Sequence, residues 1–145
     1  MGIIVDEAKR FKAKYSLTVA WRIRKNASVI EKYISPDEKV LYTFIGQKSE
    51  SLLDMFSTAV ITLTNRRIII GRKRLLFGYF LDSVTPNMMN DVKVLTRIIW
   101  GKVQIDTINE LIVLSHIDKK AMVEIKEQLL SYMIKGKQVK IAEEV

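Results

Sequence analysis

Apolar and polar positions along this chain change their period once, near residue 36. From Asp6 to Ile34 the spacing is helical: Leu17, Ala20, Trp21, Arg24, Ala27, Ile30 and Ile34 recur at about three to four residues, with bases on much of the remainder. Ser16 stands where it would cap a second helical segment after a short first one. Ser35-Pro36 ends the helical pattern, because proline drives the residue before it out of the α region. After that the period is two. Strands are predicted over Lys39–Gln47, Ser57–Thr64, Arg67–Arg72, Tyr79–Thr85, Val92–Trp100, Lys102–Thr107 and Leu111–Ser115. The strongest signal is Val60–Gly71, two β-branched runs joined at Thr64-Asn65-Arg66-Arg67, with Asn65 expected to turn the chain through the left-handed region. Gly101 is read as the turn between the fifth and sixth strands. Asp118 then caps a helix whose apolar stripe is Met122, Ile125, Leu129, Tyr132 and Met133, and Gly136 sits where a terminating glycine belongs.

Seven strands with short connections predict an antiparallel barrel or sandwich, and the single amphipathic helix after them should cover one opening. The pattern divides the chain into a helical arm over 1–35, a barrel with its capping helix over 36–136, and a flexible tail over 137–145. Lys39–Gln47 is apolar on both faces. As an edge strand it would be poorly tolerated in a monomer, so self-association is expected.

Charge sharpens this picture. The net charge is +8 in 145 residues, and residues 1–35 carry +5 of it, with eight bases against Asp6, Glu7 and Glu31. A second focus is Arg72-Lys73-Arg74, expected to form a solvated hairpin tip. Such clusters attract phosphate on lipid headgroups or nucleic acid. Hydrophobic content of 48% supports a real core, and the absence of cysteine removes disulfides and thiolate metal sites while suiting a reducing compartment. No secretory signal is read at the start, and no apolar run reaches the roughly 18 residues that span a bilayer.

Two motifs resemble a known family. Ser35-Pro36-Asp37-Glu38-Lys39-Val40-Leu41 is similar to the Pro-Asp-Glu turn that precedes the first strand of bacterial pleckstrin-homology-like domains. Leu63-Thr64-Asn65-Arg66-Arg67-Ile68-Ile69-Ile70 is similar to the hairpin between their second and third strands. The resemblance covers about residues 36–135. It implies a mainly β fold with helices, a PH-like seven-stranded, partly open barrel closed by the C-terminal helix, with no enzymatic activity. It also implies building blocks of homo-oligomers in some members. Relatives that bind phosphoinositides carry a basic first loop, whereas Lys48–Phe56 here has one base against two acids.

Catalytic chemistry is not legible. The one imidazole, His116, has no Ser or Cys motif beside it and reads as a surface or capping residue. Asp82, Asp91, Asp106 and Asp118 lack metal-ligand spacing, and Gly71–Gly78 lacks the Lys-Ser/Thr end of a phosphate loop. No catalytic residue, cofactor or metal is expected. Arg66 and Arg67 should point to opposite faces, one pairing with an acid on a neighbouring strand and the other meeting solvent or an anion. The residues expected to meet a partner are Trp21, Arg22, Arg24, Lys25, Arg72, Lys73 and Arg74. The expected function is a self-associating binding or scaffold module in the cytoplasm. The alternative is a peripheral binder at the inner membrane face, using those bases on anionic lipid ahead of nucleic acid.

Overall fold

The computed structural model describes residues 2–49 and 57–144. Two helices lead, α1 (Ile3–Lys14) and α2 (Ile23–Tyr33), followed by strands β1 (Val40–Gln47), β2 (Thr58–Thr64), β3 (Ile68–Lys73), β4 (Tyr79–Val84), β5 (Met89–Thr96), β6 (Trp100–Thr107) and β7 (Leu111–Asp118). A 3₁₀ turn over Lys119–Ala121 then opens α3 (Met122–Glu144). All strand pairs are antiparallel, in the order β4-β3-β2-β1-β7-β6-β5, so β4 and β5 are the edges of a half-barrel. α3 packs on β5, on β6 and on the 3₁₀ turn Pro86–Met88 that joins β4 to β5, closing the barrel there. Its buried stripe is Met122, Ile125 and Leu129, with Tyr132 and Met133 packed against the core.

β1 is not an edge. It lies at the centre of the order, paired with β2 throughout and meeting β7 at Gln47–Ser115. From Thr43 to Gln47 both its faces are buried within this chain, while Leu41 stays exposed, and its central place removes the edge-strand argument for self-association. In the register Ile45, Val60 and Gly71 share one face, and Phe44, Ile61 and Ile70 share the other. α2 covers the first: a Cβ on Gly71 would stand 2.7 Å from Ile30 Cγ1, so glycine there sets how closely α2 sits on the sheet. On the second, Phe44 meets Phe11 of α1 with ring centroids 6.3 Å apart. Lys14, at the end of α1, bonds Glu124 of α3 at 2.7 Å, and the Tyr42 hydroxyl of β1 donates to the same carboxylate at 2.7 Å.

Local expectations fail at four places, each for a packing reason. Ser16 caps nothing; the chain from Tyr15 to Arg22 is an irregular link, and α2 starts at Arg22 with φ 55°. Leu17, assigned to the apolar stripe, is exposed, while the buried face of α1 is Ile4, Val5, Ala8 and Phe11. Gly136 does not end α3, which runs on to Glu144; a Cβ at Gly136 would lie 2.2 Å from Pro86, so the glycine serves close approach instead. The turn between β5 and β6 falls at Arg97–Trp100, where the Arg97 amide donates to the Trp100 carbonyl at 2.9 Å, and Trp100 opens β6.

The two sequence motifs are in contact. Arg67 donates to the Glu38 carboxylate through Nε at 3.1 Å and through Nη2 at 2.8 Å, and the Thr64 hydroxyl donates to it at 2.6 Å. The Glu38 side chain is fully buried. Arg66 pairs with Asp37 on the solvent side, so both arginines take acids from the Pro36-Asp37-Glu38 turn. Asn65 does not adopt a positive φ. The turn is held instead by Thr64, whose hydroxyl accepts from the amides of Arg66 and Arg67 at 3.1 Å each. The Asn65 side chain accepts from the Lys39 amide at 2.8 Å, stitching the turn to the start of β1.

The Arg67 bonds hold the Glu38 carboxyl at about 2, against burial, with Thr64 and the Ser35 amide assisting. Because this lies below the ordinary value, the stabilisation is complete above pH about 4.5 and is lost as pH falls toward about 2. Glu38→Gln should therefore cost about 3 kcal/mol at neutral pH, and the difference from the parent should narrow as pH falls. Denaturant unfolding across that range measures it; parallel stability curves for the two proteins would rule the clasp out as a source of stability.

Ala27 and Ile30 of α2 belong to the same buried core as Phe44 and Ile61. Removing residues 2–35 would uncover the face of Gly71, Val60 and Ile45 together with the flank of β1. We expect the truncated chain to aggregate or to lose fixed packing, which light scattering and near-ultraviolet dichroism would register. A soluble, monodisperse barrel would show that the arm is separable.

Candidate functional site

The bases singled out in sequence converge because α2 is pinned to the end of β3. Asn26, buried on α2, accepts from the Lys73 amide at 2.7 Å and donates to the Trp21 carbonyl at 2.8 Å. That pair of bonds fixes the first turn of α2 against the β3–β4 hairpin. Arg22 holds a left-handed backbone that a side chain adopts only at a cost of roughly 1–2 kcal/mol. Its guanidinium lies 4.9 Å from the Trp21 ring centroid and 3.5 Å from the Arg74 carbonyl.

The result is a groove of about 560 Å³ lined by Arg22, Arg24, Lys25, Lys32, Lys73 and Tyr79, with no acid among the described residues that line it. Arg24, Lys25 and Lys32 are exposed on α2, and Lys73 is half-buried on β3. Arg72 and Arg74 stack on Phe80 at 4.5 and 5.2 Å from its centroid, so β4 supplies an aromatic platform beside the groove. Trp21 enters through its backbone, which donates to the Thr58 hydroxyl at 3.0 Å, and through its ring beneath Arg22.

The hairpin tip is not the solvated basic turn read from sequence. β3 runs through Lys73, the Arg74 amide donates to the Gly78 carbonyl at 3.0 Å, and Gly78 takes φ 75°. The residues at the tip are Leu75, Leu76 and Phe77, exposed at 58%, 79% and 82%. These apolar side chains project beyond a collar of bases. Sequence reasoning passed over them because it looked for phosphate-loop glycines. The available signal was a run of large apolar residues at the apex, where turn chemistry favours Gly, Asn, Asp and Ser.

Two other depressions flank the barrel. One, of about 610 Å³, lies between α3 and the β2–β3 turn, beside Tyr132 and Gly136. The other, of about 590 Å³, lies at the β5–β6 hairpin. His116 is at the latter, on β7, with its ring edge-on to Trp100 at 5.0 Å and Nδ1 2.9 Å from Ser115 Oγ. Among the described residues no group of His, Asp and Glu is placed to hold a metal, and no helix is long and apolar enough to cross a membrane. Of the Lys48–Phe56 loop, residues 50–56 lie outside the described residues.

Comparison with known proteins places the chain. No curated protein matches it. Solved structures similar to this chain include two from Shewanella species. The pleckstrin homology domain from Shewanella amazonensis SB2B is 13% identical, with a TM-score of 0.52 over 74% of this chain and 95% of that one. A DUF1696 family protein with a pleckstrin-homology domain, from Shewanella loihica PV-4, is 14% identical, with a TM-score of 0.47 over 74% of this chain and 92% of that one. A family model described as bacterial PH domain matches residues 34–131, the segment that holds both clasped motifs and the whole seven-stranded half-barrel. The chain belongs to the bacterial PH domain family.

Proposed function

We propose that this chain is a non-enzymatic binding module that meets an anionic membrane surface through the α2–β3 groove and the tip of the β3–β4 hairpin. One juxtaposition carries the reading. Five cations line one groove beside three exposed apolar residues at a convex apex. Bases alone would serve any polyanion, nucleic acid included. The apolar apex favours a bilayer, since headgroup phosphates meet the collar while Leu75, Leu76 and Phe77 reach the acyl boundary. The strained backbone of Arg22 and the Asn26 bonds support the same reading, because they hold the cations in place before any partner arrives.

Each base near an anionic surface contributes about 1 kcal/mol, so reversing Arg24, Lys25 and Lys73 to Glu removes at least about 3 kcal/mol, more than a hundredfold in partitioning. The variant should keep its circular dichroism and lose sedimentation with phosphatidylglycerol vesicles at moderate salt. Equal sedimentation of variant and parent, or no sedimentation of the parent at low salt, would dismiss the membrane reading.

Self-association is the second reading, carried by β4. This edge strand pairs with β3 on one side and leaves Tyr79 and Phe80 exposed at 59% and 47%. Two β4 edges meeting antiparallel would complete both ladders. On this reading light scattering gives a multiple of 16.8 kDa at tens of micromolar, and Ser83→Pro, which removes an edge amide, returns the monomer mass. A monomer mass for the unaltered protein would eliminate it.

A further inference from the structure

We infer that the β5–β6 hairpin is a second membrane-inserting element, seated on the same rim as the β3–β4 tip and entering the same anionic bilayer. This rests on the membrane reading above and adds to it a site of its own.

The apex of that hairpin is Arg97-Ile98-Ile99-Trp100. Ile98 is exposed at 88% and Ile99 at 47%, with Leu95 beside them at 43%. β-Branched apolar residues are poor turn formers, and these contribute nothing to the core, so a cost in local propensity goes unrepaid within the chain. Around the apex the groove is lined by Arg97, Lys102 and His116. Half-buried Trp100 donates its indole N–H to the Leu17 carbonyl at 2.7 Å, giving an anchored ring with one polar edge, the disposition that suits a headgroup boundary. Apolar apex, flanking bases and boundary aromatic repeat the arrangement at the β3–β4 tip, where Leu75–Phe77, Arg72 to Arg74 and Phe80 play the same parts.

The link from Tyr15 to Arg22 shows that both apices border one rim. The Leu17 carbonyl holds Trp100 at the β5–β6 hairpin. The Val19 amide donates to the His116 carbonyl at 2.9 Å, and the Val19 carbonyl accepts from Gln47 Nε2 at 2.6 Å. The Trp21 amide reaches Thr58 at the start of β2, and Arg22 ends at the Arg74 carbonyl of the β3–β4 hairpin. The link thus passes the ends of β7, β1 and β2 in turn, with exposed Leu17 at its β5–β6 end. Two separated convex apices with basic surrounds fit a fluid, anionic, planar partner. A protein groove would accommodate one apex and leave the other in water.

The test uses the full chain with mixed phosphatidylcholine–phosphatidylglycerol vesicles. The unaltered chain is the parent for binding, and Trp21→Phe, which leaves Trp100 as the one tryptophan, is used for the fluorescence alone. Lipids brominated on the acyl chain should quench Trp100 emission on binding. Adding Ile98→Ser and Ile99→Ser should weaken vesicle binding about tenfold and abolish the quenching, with the fold unchanged because these side chains lie outside the core. If the Trp21→Phe protein and the unaltered chain both fail to bind vesicles, the membrane reading falls and this inference with it. If the parent binds and reversal of Arg24, Lys25 and Lys73 weakens it, but Trp100 is not quenched and the serine variant binds equally, this inference alone is overturned. A serine variant that keeps vesicle binding and changes only its mass in solution would likewise overturn it, assigning the apex to a second copy of the chain.

Discussion

Strand β2 is buried along its entire length, and that single constraint organises the molecule. Alternate residues of a strand face opposite sides of the sheet, so a strand with no exposed position must be covered twice. The barrel interior covers one face of β2, and α2 covers the other. Ile30 seats over Gly71, where the missing side chain leaves room. α1 completes the wall beside β1, its Phe11 against Phe44 and its Lys14 tied to Glu124 of the closing helix. The leading helices are thereby parts of the packing that the sheet requires.

Site geometry follows from that coverage. With α2 laid across β2 and β3, its first turn reaches the end of β3, and Asn26 locks it there through the Lys73 amide. Cations more than forty residues apart in sequence are brought to one groove. At the other end of the same strands, acids and bases are matched. Glu38 and Asp37 take Arg67 and Arg66, and the charges there stabilise a turn. The domain thus pairs acids with bases at its closed end and gathers bases at the rim.

Apolar surface is distributed in a similarly uneven way. The core takes nearly every β-branched residue of β1, β2 and β3, while Leu75, Leu76, Phe77 and Ile98 are left in water at hairpin apices. Scattered exposed apolar residues are ordinary on any surface. Several at convex apices beside bases are not explained by packing within the chain, and the proposed membrane contact would cover them.

By itself the sequence determined the order of elements, seven strands and a following helix, because period-two alternation and β-branched content are local signals that burial on a sheet requires. It also identified both clasped motifs and the bases that later meet, since charge and residue type are visible without coordinates. Only the tertiary structure decided what those residues do. Strand order put β1 in the centre, so from Thr43 onward both its faces are covered within the chain. Contact with Lys39 decided the work of Asn65, and contact with Pro86 decided that of Gly136. The tips at Leu75–Phe77 and Ile98–Ile99 were legible as apolar runs and illegible as exposed ones. Exposure is a property of what packs nearby, and no local pattern records which neighbours are missing.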